Sequence, residues 1–194
     1  MTLILSKKYN PLFESKARYF IITGGRGSGK SFAVTVFLTL LTMSRGIRVL
    51  FTRFTMTSAH LSIIPEFLEK IGLLGFDETF NINKSEVVNA KNKSDILFRG
   101  IKTSAGNQTA SLKSLQGIST WVLDEAEELV DENIFDTIDL SIREKDIHNR
   151  VVLILNPVTK EHWIYKRFFE DKGIEGGFNG VKDNVCYIHS TYLD

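Results

Sequence analysis

Several kinds of residue are scarce in this chain, and each scarcity excludes something. A single cysteine, Cys186, stands among 194 residues, so an internal disulfide or a cysteine-based zinc site is excluded, and a reducing compartment fits. Only three prolines occur, Pro11, Pro65 and Pro157. No Pro/Gly/Ser-rich linker divides the sequence, so residues 1–194 are expected to form one domain. No internal repeat appears at a solenoid or propeller period. The longest apolar stretches reach about half the ~20 residues of a membrane-spanning helix, and no charged-apolar-small leader opens the chain, so neither insertion nor secretion is expected. Charge of one sign is missing as well: Lys+Arg 24 against Asp+Glu 23 leaves +1, which excludes a globally basic nucleic-acid binder but not a local patch. With 43% hydrophobic and 24% charged residues, the composition is that of an ordinary globular protein rather than a disordered or fibrous one. A chain of this length removes enough surface from water to fold without staples.

What is present alternates between strand and helix patterns. Residues 18–23 (RYFIIT) form an apolar run that ends at a glycine cluster, as a buried parallel strand does. Residues 31–44 follow without Gly or Pro, with Phe32, Val36, Phe37, Leu40 and Met43 at helical spacing, and Gly46 is expected to supply a left-handed stop. A strand over 47–52 and a helix over 58–71 come next; Pro65 would bend or divide that helix. Residues 80–100 read as short strands broken by polar turns, with 89–94 (NAKNKS) a loop, and 103–111 is small, polar and expected to be mobile. A strand over 120–123, a helix over 131–144, a strand over 151–155, an aromatic-rich helix over 161–170 and a strand over 185–191 complete the chain. The alternation predicts an α/β fold with a mostly parallel central sheet flanked by helices.

At the first strand-to-helix junction, Gly24-Gly25-Arg26-Gly27-Ser28-Gly29-Lys30-Ser31 satisfies GxxxxGK[ST] in full. Residue frequencies make a chance match rarer than about 1% in a chain this long. The glycines let successive amide N–H groups point inward at phosphate oxygens, and the amino end of the helix adds donors and a positive dipole end. Lys30 would reach the β- and γ-phosphates of ATP, and Ser31 would place its hydroxyl on Mg²⁺. The bland alternative, a glycine-rich turn with a solvated lysine, lacks a reason for the complete motif in this setting.

A second motif matches the first. Trp121-Val122-Leu123-Asp124-Glu125 is an apolar strand ending in two carboxylates. Asp124 would hold a water of the magnesium ion. Glu125, leaving the strand end in another direction, could orient the attacking water and take its proton. The alternative is an acidic helix start favoured by the dipole. An adjacent Asp-Glu pair points to a motor-type ATPase rather than a small GTPase or a kinase. Tyr9 and Phe13, just before the first strand, either stack on adenine or fill the core. Asn156, at the end of the 151–155 strand, either senses the γ-phosphate or marks an Asn-Pro turn. His148 and His162 show no metal-ligand spacing. Between 82 and 114, Lys84, Lys91, Lys93, Arg99, Lys102 and Lys113 face only Glu86 and Asp95, a local +4. That segment could track a nucleic-acid backbone, present an arginine to a neighbour's ATP, or be a solvated hairpin.

The stretches YNPLF, YFIITGGRGSGKS, VLFTRFT, LFRG, LKSLQGISTWVLDEAEEL and LILNP, in that order from residue 9 to residue 157, resemble the ATPase half of a tailed-bacteriophage large terminase subunit. The final HSTYLD resembles the segment that precedes that family's nuclease domain. The resemblance implies a P-loop NTPase of the ASCE/RecA-like class. It implies a Mg²⁺-dependent ATPase that couples hydrolysis to translocation of double-stranded viral DNA into the procapsid, in the cytoplasm of a bacterial host. Implied partners are DNA, the portal protein, the small terminase subunit and copies of the chain itself, as a ring when assembled and a monomer in isolation, with no membrane. By the same resemblance Arg26, inside the loop, approaches the γ-phosphate; Asn156 falls in the motif coupling hydrolysis to motion; and the Tyr9 region belongs to the adenine motif. Arg53 and Arg99 fall on arginine-bearing motifs, with no trans role assigned to either. Family members continue into an RNase H-like nuclease, whereas this chain stops at Asp194, so DNA cleavage is expected to be absent.

Two other readings remain on sequence alone. One is another RecA-like ATPase stimulated by nucleic acid, of helicase or recombinase type. The other is a nucleotide-dependent assembly module with little turnover.

Overall fold

The computed structural model describes residues 3–55, 59–103, 106–107, 112 and 114–194. A short helix α1 (Asn10–Glu14) leads into strand β1 (Tyr19–Gly24) and helix α2 (Lys30–Leu41), followed by β2 (Arg48–Thr55) and α3 (Ala59–Leu73). A hairpin of β3 (Phe80–Asn83) and β4 (Glu86–Asn89) precedes β5 (Asp95–Thr103) and the two-residue β6 (Gly106–Asn107). Then come β7 (Thr120–Asp124), α4 (Glu132–Asp139), β8 (Arg150–Leu155), α5 (Trp163–Tyr165), β9 (Gly180–Lys182) and β10 (Val185–Ser190).

The strands form one sheet in the order β3-β4-β5-β2-β7-β8-β1-β10-β9, with β6 paired to β5. The middle strands from β5 to β10 all run parallel. β3, β4, β6 and β9 pair antiparallel at the flanks. β8 is inserted between β1 and β7, so the glycine-rich loop and the Asp-Glu pair emerge two strands apart at the same carboxyl edge. Open parallel sheets bind ligands at that edge.

The strand interiors read as continuous apolar runs because both faces are covered. Phe20 and Ile22 of β1, Phe51 of β2, Val122 of β7 and Ile154 of β8 face α2 and α3, meeting Val34, Leu38, Ile63 and Phe67. Their neighbours Ile21, Leu50, Trp121, Leu123 and Leu153 face Phe135 and Ile138 of α4 and the aromatic cluster of Trp163, Phe168 and Phe169. Trp121 Nε1 donates to Thr52 Oγ1 at 2.9 Å, which itself donates to the Val122 carbonyl at 3.1 Å, tying β2 to β7 where their ends carry the site.

Four elements differ from the sequence expectation, each for a local reason. α3 runs undivided through Pro65, which stands on the exposed side, where water can serve the carbonyl that the missing N–H leaves. α4 stops at Asp139 rather than residue 144, because the Arg18 guanidinium donates to the Asp139 and Ile142 carbonyls at 3.1 Å each and pairs with the Asp139 carboxylate at 2.6 Å. The expected helix over 161–170 is a single α-turn that widens into a π-type segment over Lys166–Glu170. The wider turn lets the consecutive Phe168 and Phe169 both enter the core. Gly46 has φ +80° but lies beyond the helix end, and α2 is closed instead by the 89–94 loop. Asn92 Nδ2 donates to the Thr42 and Met43 carbonyls at 3.0 and 2.9 Å, and Asn89 Nδ2 to Thr42 at 3.1 Å. Residues 56–58 and most of 103–111, including the segment expected to be mobile, lie outside the described residues.

Asn92→Ala should therefore cost about 1–2 kcal/mol, since it leaves helix carbonyls without their donor. That is a drop of roughly 2–4 °C in Tm for each kcal/mol at this chain length. The exposed neighbour Lys91→Ala should stay within about 0.5 kcal/mol. Equal melting temperatures for wild type and Asn92→Ala would refute the capping role.

Candidate nucleotide site

The loop between β1 and α2 is shaped by close approach. A Cβ on Gly24 would lie 2.2 Å from the Ser190 carbonyl oxygen of β10, so only glycine lets the strand end there and turn. Gly29 caps α2 in the left-handed region, at φ +80°, a conformation that favours glycine. Ser28 Oγ donates to the Gly25 carbonyl at 2.9 Å within the loop. From beneath, Tyr9 Oη donates to the Ser28 carbonyl at 2.9 Å and shares a 2.6 Å hydrogen bond with Ser190 Oγ. Tyr9 is only 3% exposed, so its ring packs in the core and its hydroxyl braces the loop. That corrects the expectation that its ring face is open to stack on adenine. Phe13 packs edge-on against Phe37, with ring centroids 5.3 Å apart.

Lys30 is buried at the start of α2 and turns back on the loop. Its Nζ donates to the Gly24 and Gly25 carbonyls at 2.7 and 2.9 Å, and reaches Asn156 Oδ1 at 3.4 Å. Burial pushes its pKa down, against the pull of the nearby Glu127 and Asp124 carboxylates. Asn156, at the end of β8, donates from Nδ2 to Glu127 Oε1 at 2.6 Å. Glu127 Oε2 is buried without a hydrogen-bond partner.

Asp124 ends β7 with its side chain 5% exposed. Burial raises its pKa, and the Arg53 guanidinium opposes that rise: Arg53 Nε and Nη2 sit 2.8 and 2.6 Å from Asp124 Oδ2. Arg53 Nη1 also stands 3.7 Å from Glu125 Oε2. Burial works against the Arg53 cation, but Asp124 outweighs it and the pKa of the guanidinium goes up. Glu125 adopts left-handed φ, +52°, a strained backbone for a non-glycine residue of the kind that collects at functional sites. That kink carries its carboxylate out of the strand line into the cavity, where burial raises its pKa.

Arg26, Gly27, Ser28, Gly29, Lys30, Ser31, Asp124, Glu125 and Asn156 line one cavity of about 450 Å³, within the range of small-ligand sites. Gly24 and Gly25 lie behind it, as acceptors for Lys30. Arg26 is exposed, at its rim. Arg53, Glu66 and Glu127 line the same cavity. Sequence reasoning had left Arg53 unassigned and had not singled out the other two. The third acid of DEAEE was a visible signal for Glu127, whereas Glu66 arrives from α3 with no motif around it. Across the Gly27–Gly29 stretch lies a second cavity of about 210 Å³, bordered by Ile4, Leu5, Phe32 and Tyr192. These apolar side chains, rather than Tyr9 alone, offer surface for a flat base.

The donor set suits magnesium. Among the described residues no three His, Cys, Asp or Glu side chains converge on a cation. Ser31 and Asp124 instead face one cavity from opposite motifs, a sparse oxygen set for an ion that keeps its waters and takes phosphate oxygens.

The basic segment is spread over the far flank of the sheet. Lys84, Lys91 and Lys93 are exposed, while Arg99 donates to the Ser85 and Phe98 carbonyls at 3.1 and 2.8 Å and so braces the hairpin. Lys113 lies outside the described residues.

Comparison with known proteins adds the following. A family model described as phage terminase large subunit matches residues 16–194. The terminase large subunit of Bacillus phage SPP1 is 24% identical over 209 residues, covering 97% of this chain and 46% of that protein. The large terminase of a thermophilic bacteriophage superposes with a TM-score of 0.76 at 13% identity, over 99% of this chain and 47% of that one. The N-terminal domain of the DNA packaging ATPase from bacteriophage phi29 gives a TM-score of 0.72 at 16% identity, over 97% and 99% of the two chains. The chain thus spans about half the length of the curated relative it matches.

Tyr9→Phe separates bracing from stacking. It should cost about 0.5–1.5 kcal/mol through the unpaired Ser28 carbonyl and weaken binding of ATP and GTP by the same factor. A change in the ATP-to-GTP preference with unaltered stability would restore the stacking role.

Proposed function

This chain belongs to the phage terminase large-subunit family, and on that premise we propose that it is a Mg²⁺-dependent ATPase whose hydrolysis drives double-stranded DNA into a procapsid. The observation that carries the proposal is the convergence of Lys30, Asp124 and the strained Glu125 on one cavity at the carboxyl edge of the sheet. The fold is shared with packaging ATPases, including the phi29 domain named above, and related large terminases have been solved with ATP-gamma-S and with ADP.

The chemistry follows from the geometry. Lys30, now satisfied by the Gly24 and Gly25 carbonyls, exchanges them for the β- and γ-phosphate oxygens, while the loop N–H groups and the start of α2 take the remaining charge. Asp124 and Ser31 would hold Mg²⁺, which supplies charge neutralisation to the phosphates. Glu125 orients a water for in-line attack on the γ-phosphorus and accepts its proton as the β–γ bridging bond breaks; its raised pKa makes it a stronger base. Arg26 at the rim stabilises charge on the transferring group. Asn156, linked to both Lys30 and Glu127, registers whether the γ-phosphate is present. Portal protein, the small terminase subunit and a ring of further copies are the partners such a motor requires, and nuclease activity resides outside these residues.

Lys30→Ala should abolish nucleotide binding or turnover. Glu125→Gln should keep ATP binding and slow phosphate release roughly 10²–10⁴-fold, the usual worth of a positioned base. Duplex DNA should stimulate the wild-type rate more than single strands do. Normal turnover by Glu125→Gln moves the base elsewhere, and stimulation by single strands alone favours a helicase-type enzyme.

A further inference from the structure

Resting on the nucleotide-site reading above, we infer that Arg53 and Mg²⁺ compete for Asp124, so that Arg53 sets how much Mg²⁺ the site demands. Two donors of one guanidinium, Nε at 2.8 Å and Nη2 at 2.6 Å, converge on the single oxygen Oδ2. The Asp124 carboxylate also accepts the Glu125 backbone N–H, and its side chain is 5% exposed. Little of the carboxylate is therefore left over for a second cation while the pair stands. Like charges brought to one oxygen in a poorly solvated cleft repel strongly. Arg53 is thus the counter-ion of the nucleotide-free site, and the metal-bound site needs it elsewhere.

The cavity provides that other place. Arg53 Nη1 is already 3.7 Å from Glu125 Oε2, and Glu66 of α3 faces the same cavity. A guanidinium released from Asp124 keeps anionic neighbours without leaving the site. The exchange needs only rotation of the Arg53 side chain, since β2 and β7 are held in register from Val49–Thr120 to Thr52–Leu123. Arg53 is on this account a positioning residue acting through Asp124. The apparent Mg²⁺ affinity is the intrinsic affinity multiplied by the fraction of molecules whose Asp124 is free.

The test is a Mg²⁺ titration of the binding of a fluorescent ADP analogue, which requires no turnover. Arg53→Ala should reach half-maximal binding at roughly tenfold lower Mg²⁺, given a pair that leaves Asp124 free about one time in ten. Arg53→Lys, with a point charge but no fork, should fall between. Glu66→Gln should shift the midpoint the other way, because the displaced guanidinium loses its receiving carboxylate. An unchanged or higher Mg²⁺ midpoint in Arg53→Ala overturns the inference, as does loss of ADP binding at saturating Mg²⁺, which would make Arg53 a phosphate ligand. If Arg53→Ala fails to fold by circular dichroism, Glu66→Gln decides alone, and an unmoved midpoint there rejects the competition. Wild-type protein that binds no ADP at any Mg²⁺ concentration brings down the nucleotide reading itself, whereas the variant outcomes bear on Arg53 only.

Discussion

Asp124 stands almost wholly out of water at the end of β7, and a carboxylate in that position costs several kcal/mol unless a cation meets it. Arg53 does so, and it can only because β2 lies directly beside β7 in the sheet. The same demand repeats one strand further along. The buried Lys30 ammonium needs acceptors, and takes the carbonyls of its own loop together with Asn156 at the end of β8. Asn156 in turn is held by Glu127 from the turn after β7. The carboxyl edge is therefore a set of charges that satisfy one another, with each partner on a different strand or turn. A phosphate and its metal would enter by exchanging partners rather than by finding empty ones.

The phosphate loop depends on contacts equally remote in sequence. Ser190 on β10 lies against Gly24 and hydrogen-bonds Tyr9, which reaches the Ser28 carbonyl. Lys8 pairs with Asp194 at 2.8 Å on the same side of the loop. The glycines give the loop the freedom to curl, and these neighbours remove that freedom again by fixing one path. Amide donors preset for a phosphate require both.

The two motif halves are built on opposite principles. Around Lys30 the helix start and loop amides are local, so their geometry follows from a few consecutive residues. Around Asp124 the strain at Glu125 is sustained by what packs on it: Ala126 and Leu129 are fully buried beside it, and the Leu129 carbonyl accepts Trp163 Nε1 at 2.5 Å. The left-handed residue that aims the proposed base is thus held by an aromatic cluster on the far face of the sheet.

The sequence by itself determined the α/β alternation, the parallel strands and the phosphate-loop junction, because those depend on periodicity and on neighbours a few residues apart. It also carried the Asp124-Glu125 pair at a strand end, where an apolar run stops at charge. Tyr9 was ambiguous, since an aromatic before β1 can face a base or the core, and only the approach of Ser28 and Ser190 decides. The early stop of α4 was hidden because the donor that ends it, Arg18, lies 121 positions upstream of Asp139. Likewise the closing of α2 by Asn89 and Asn92 spans 47 to 50 positions. Arg53 lies 71 positions from Asp124, and nothing local says that these two share an oxygen. Partner choice among charges is a matter of strand order, and strand order is set by which faces bury best together in the folded chain, not by any stretch of residues read alone.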